Sequence, residues 1–198
     1  MAAEKLFAIK GFDGASVRDI AHEADINVAM ISYYFGSKEK LMEAVFEMRT
    51  IKMRLKVETL LQNTSLPPLQ KVYVLIDDYV DKFIHQQEFH KIMIREQMIE
   101  KDTLIARLIH QLKKRNLESI KTLIDAGQKC GDFKADIDVV LMMTTLVGTV
   151  SQMITSQHFY RSVNQLEYMA EIEFQQHMRK KLSIHLRNMF KKLLTNEN

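Results

Sequence analysis

Apolar residues in this chain recur three and four positions apart, and hardly anywhere do they alternate. Leu75, Ile76, Tyr79, Val80, Phe83 and Ile84 show the pattern, and so do Leu104, Ile105, Leu108, Ile109 and Leu112. A strand buries every second residue and a helix every third or fourth, so this spacing predicts an all-α chain. Six Gly and two Pro in 198 residues leave few places where a helix must stop. Those places are Gly11 and Gly14, Gly36, Pro67-Pro68, and Gly127 with Gly131, each read as a break. With 46% hydrophobic residues the chain can bury a sizeable core, and disorder is excluded.

The breaks divide the chain unevenly. Short helices fill the first third and long ones the rest, which predicts a small head at residues 1–45 and a larger body at 46–198. Pro67 and Pro68 suit a first helical turn, where a missing N–H costs no intrahelical bond. A helix running from Ser37 towards Asn63 is expected to join head and body, more stiffly than a Gly/Ser linker would.

Within the head, Ser16 followed by Asp19 is a capping-box variant, so a helix starts at Val17. Ile20, Ala21 and Ala24 form its buried side, with Ala21 small enough for a second helix to cross closely. Asp25 stands at a tight turn, where Asp tolerates a left-handed backbone better than most residues. Asn27 is the expected N-cap of a second short helix, Ile31 its inward residue and Gly36 its end. Two short helices joined by a turn of about three residues make a helix-turn-helix.

The pattern Ser16-x-x-x-Ile20-Ala21-x-x-Ala24-x-Ile26-Asn27, followed by Tyr33-Tyr34-Phe35-Gly36-Ser37-Lys38-Glu39-x-Leu41, resembles the DNA-binding domain of TetR/AcrR-type transcriptional regulators. Ala2 to Phe12, with its Leu6-Phe7 pair and Gly11-Phe12 ending, resembles that family's first helix. The resemblance implies a three-helix DNA-binding head on a helical ligand-binding and dimerisation body. This sequence departs from the pattern in carrying Asp25 where Gly is usual and Ser32 where Tyr is frequent. Its first helix begins at residue 1, which leaves open whether a basic arm precedes it and reaches the minor groove.

A recognition helix enters the major groove with its N-terminal residues towards the base edges. Asn27, Val28, Ala29, Ser32 and Tyr33 occupy those positions. None is Lys or Arg, so the commonest two-bond contact to guanine is missing. Val28 and Ala29 can pack on thymine methyls, and Ser32 or Tyr33 can hydrogen-bond. Asn27 is also the N-cap. Phosphate contacts are expected from Arg18, Tyr33 and Lys38, with Ser16 at the start of the preceding helix. Residues 1–56 carry nine Lys/Arg against eight Asp/Glu, so one head should bind weakly and two are needed.

In the body, Val139 to Ile154 is apolar almost all round, and a helix of that kind must be buried on several sides. A final helix from Glu171 to Leu194 places its acids first and its bases last, as the helix dipole favours. Val147, Val150, Ile154, Met178, Leu182, Leu186 and Met189 are the expected dimerisation residues. The resemblance implies a small-molecule effector, but no feature of the sequence identifies it. Met93, Met98, Met142, Met143 and Met153, with Tyr73, Tyr79 and Phe83, are either pocket lining or core.

No Gly-rich phosphate loop, HExxH or GxSxG pattern occurs, and the seven His lack the spacing of paired metal ligands. No enzyme activity, metal or cofactor is therefore expected, and Asp77, Asp78 and Asp81 read as a solvated face. One Cys allows no internal disulfide. The opening residues lack a signal-peptide pattern, and Val139–Ile154 is shorter than the ~20 residues of a membrane span. A cytoplasmic homodimer on a near-palindromic DNA operator, most simply a ligand-responsive repressor, is the expected reading. A helical dimer that binds a small molecule or protein and has lost specific DNA binding is the alternative.

Overall fold

Helix boundaries follow the caps that the sequence supplies. In the computed structural model, which describes residues 1–98 and 102–196, ten helices and no strand occur among the described residues. They are α1 (Ala2–Gly14), α2 (Val17–Glu23), α3 (Val28–Phe35), α4 (Lys38–Gln62) and α5 (Pro68–His85). After them come α6 (Gln87–Gln97), α7 (Leu104–Lys129), α8 (Val139–Thr155), α9 (Gln157–Val163) and α10 (Glu171–Leu194). The all-α expectation holds.

Gly11 breaks α1, with φ 77° and ψ 171° inside the helix, and the guanidinium of Arg95 lies where a Cβ would stand, 3.0 Å away. Gly36 ends α3 at φ 78°. The break expected at Gly127 with Gly131 falls at Gly131, at φ 80° just beyond the end of α7 at Lys129, and Gly127 itself lies inside the helix. Gly127 is there for space: an added Cβ would lie 2.1 Å from the Phe133 ring, which folds back onto the helix.

The chain packs as two units, neither made of one continuous segment. The first comprises Met1–Leu55 and Gln86–Arg115, the second Lys56–His85 and Asn116–Asn198. This differs from a single cut after residue 45, since α6 and the first half of α7 pack with the head.

In the first unit, Phe7, Met42, Phe89, Ile92 and Ile105 are almost wholly buried, and Ile20, Ala21 and Ile31 attach α2 and α3 to the same core. Each large side chain so buried contributes about 1.5–3 kcal/mol. Glu4, also buried, accepts from Arg49 Nε at 2.9 Å and Nη2 at 2.6 Å, which ties α1 to α4.

In the second unit α8 and α10 both pack on α5. Here the structure corrects the dimerisation residues. Val150, Met178, Leu182 and Leu186 are buried within their own protomer and so cannot form a surface between protomers. Val147, Ile154 and Met189 are half-buried. The outward face of α8 instead presents Leu141, Thr144, Thr145 and Gly148, and Ile184 is the exposed apolar residue near the middle of α10. The acids of α5 are not simply solvated: Arg187 pairs with Asp77, Arg179 with Asp81, and Lys56 with Asp78.

No single helix among the described residues is long and apolar enough to cross a membrane. Among the described residues α8 and α9 taken together reach that length, across a 71° bend.

Candidate nucleic-acid interface

The head is closed by its own local bonds. Ser16 Oγ accepts from Asp19 N at 3.0 Å, and Asp19 Oδ2 accepts from Ser16 N at 3.3 Å, completing the capping box of α2. Asp25 takes the left-handed backbone that the turn requires, at φ 52°. Asn27 Oδ1 accepts from Ala29 N at 2.8 Å and caps α3. Of the eight residues of α3 only Ile31 is buried. Val28, Ala29, Ser32 and Tyr33 are therefore all at the surface, as expected, and Tyr33 is 83% exposed. The rings of Tyr33 and Tyr34 meet edge to face with centroids 5.1 Å apart.

The charges around this surface are mostly spent within the head. Lys5 pairs with Glu23 at 2.6 Å, Lys10 with Asp19 at 3.0 Å and Lys40 with Glu43 at 2.8 Å. The Lys10 ammonium and the Ser16 N–H hold the Asp19 carboxyl below its usual range, and Lys5 does the same for Glu23. Arg18 differs: it is exposed on α2 and makes no ion pair among the described residues. It remains available to a phosphate.

Lys38 is not free in the same way. Its ammonium donates to Phe12 O at 2.9 Å and Ala15 O at 3.3 Å, and lies 4.5 Å from the Phe12 ring centroid. It therefore ties the start of α4 to the end of α1. Ser37 Oγ accepts from Lys40 N at 3.2 Å, so the start of α4 is capped as well. Sequence reasoning passed over Met30 and Tyr34, which are 43% and 68% exposed. Counting round α3 from Ile31 would have put Met30 on the surface.

The methionines read as either pocket lining or core fall in different places. Met93 packs on the core of the first unit, Met98 is exposed, and Met142 is buried in the second. The first unit does hold a groove of about 640 Å³ between α4 and α7, lined among others by Phe46, Leu104, Leu108, Lys40 and Arg107.

An internally satisfied helix-turn-helix whose second helix stands bare, on an otherwise all-helical chain, defines a DNA-binding protein of the helix-turn-helix class. The family profile for bacterial regulatory proteins of the tetR family matches residues 1–45, and that for the tetracyclin repressor-like C-terminal domain matches residues 68–184. The HTH-type transcriptional repressor NicS of Pseudomonas putida is 32% identical over 151 residues, 73% of this chain and 70% of that protein.

Two solved structures share the fold. The ketosteroid transcriptional regulator KstR2 of Mycobacterium tuberculosis superposes with a TM-score of 0.68 at 21% identity, over 99% of this chain and 92% of that one. The regulator FadR from Bacillus subtilis, in complex with stearoyl-CoA, gives 0.65 at 19%, over 92% and 94%. This chain belongs to the tetR family and is a DNA-binding transcriptional regulator.

Proposed function

We propose that the chain is a repressor that binds a near-palindromic operator as a homodimer and leaves it when a small-molecule effector binds. The observation that carries the DNA half is α3, with a single buried residue and an outward face that no other part of the head covers. Repression follows from the likeness to a relative named as a repressor. No step of this action needs catalysis, and a regulator of this kind works where the DNA is, in the cytoplasm.

Dimerisation follows from the weakness of one head. With Arg18 its main uncommitted cation, a head gains few phosphate contacts, and linking two heads makes the second contact intramolecular. Two-fold symmetry would place the recognition helices one helical turn or more apart, ~34 Å at least. The outward face of α8 suits the contact, because Gly148 with Thr144 and Thr145 lets a second helix approach closely while Leu141 supplies apolar area. Leu141→Glu should yield a monomer of unchanged helicity with operator affinity lowered at least tenfold. Sedimentation velocity with an anisotropy titration reads both effects. A Leu141→Glu dimer would remove this face from the account.

The FadR structure holds stearoyl-CoA, and by that likeness a small-molecule effector is proposed here too. The groove between α4 and α7 is large enough for one. An occupant there would press on α4 within a few residues of Lys38, and so on the tie to α1. Linkage then requires DNA to weaken effector binding by the same factor that the effector weakens DNA binding.

A further inference from the structure

Each residue of α3 turns the helix by about 100°, so the buried Ile31 fixes where the other side chains point. Ala29 and Tyr33 stand opposite it, with Met30 on one flank and Ser32 on the other. Val28, Tyr34 and Phe35 lie nearer the core side and are still 40%, 68% and 38% exposed. None of the four outward residues can make the paired hydrogen bonds by which Arg, Lys, Asn or Gln read a purine edge. The neighbouring amide is already engaged as the cap of α3. A two-bond contact to adenine needs the Asn oxygen as acceptor, and Asn27 Oδ1, which accepts from Ala29 N at 2.8 Å, would have to share its second lone pair while keeping the cap geometry.

What the face does offer is a thioether with its methyl, the Ala29 methyl and the edge of the Tyr33 ring. In the major groove the chemical partner of such a surface is the 5-methyl group of thymine. Met is unbranched and polarizable, so it can adjust to a methyl whose position shifts with the local shape of the duplex.

We propose that Met30, together with Ala29 and the Tyr33 ring, reads thymine methyl groups in the major groove, so that operator specificity rests on apolar contacts and not on purine edges. Met30 is then a specificity-determining residue. The proposal rests on the operator binding set out above.

Deoxyuridine tests it, since replacing thymine removes the methyl and leaves every hydrogen-bonding group in place. An operator duplex is first obtained by selection from random DNA, and each thymine is then replaced symmetrically in both half-sites. At the contacted positions wild-type affinity, read by fluorescence anisotropy, should fall about fourfold per methyl, the transfer value of one buried carbon. In Met30→Ala the uracil penalty should shrink at one of those positions and persist at the others. Its circular dichroism should match the wild type, because Met30 is exposed.

Equal affinity for thymine and uracil duplexes at every position overturns the proposal. So does a penalty in Met30→Ala that is undiminished everywhere. If selection enriches no sequence, operator binding itself fails and the methyl reading falls with it. An enriched operator indifferent to uracil removes the methyl reading alone.

Discussion

Arg18 and Lys38 carry the same charge and are expected to do different work. Arg18 is exposed and unpaired among the described residues, so its side chain costs the head nothing to redirect onto a phosphate. Each phosphate contact adds about 0.9 to the slope of log affinity against log salt concentration. Arg18→Ala should therefore flatten that slope by ~0.9 for each head and leave the thermal midpoint within experimental error. A titration at several salt concentrations, with a melting curve, separates the two quantities. An unchanged slope would return Arg18 to the status of a solvated surface charge.

At the scale of elements, Lys38 joins α4 to α1 through two carbonyls and an aromatic ring. Charge-assisted hydrogen bonds of a half-exposed group are screened by water, so Lys38→Ala should cost on the order of 1 kcal/mol in stability. Chemical denaturation of the variant should show that loss, and its salt slope should stay at the wild-type value. A flattened slope with full stability would instead make Lys38 a phosphate ligand, as the sequence alone suggests.

The same residue shows where legibility ended. The caps at Ser16 and Asn27, the left-handed Asp25 and the end at Gly36 could be read in advance, because each depends on neighbours within three or four positions. The partners of Lys38 lie 23 and 26 positions away and leave no local mark. The break at Gly127 with Gly131 could be read as well, but the need for a bare Cα at Gly127 arises only after the chain folds back and brings the Phe133 ring onto the helix. In α10 the apolar spacing located the buried face of Met178, Leu182 and Leu186, but spacing does not say what covers it. Packing on α5 within the protomer covers it. Met30, by contrast, was within reach once Ile31 was placed inside.

At the scale of the whole molecule, weak heads and a modest surplus of charge leave a regulator that must find its operator by pairing two recognition helices. Net charge is only +3, so little affinity for arbitrary DNA should mask the specific site. Selection of bound duplexes from a random pool, at low and at physiological salt, tests that account most directly. The enriched sequences should form a near-palindrome whose half-sites lie one helical turn or somewhat more apart, with thymines recurring at the positions facing α3. Absence of any enriched sequence at low salt would contradict the account, and would leave a helical protein whose recognition helix no longer reads DNA.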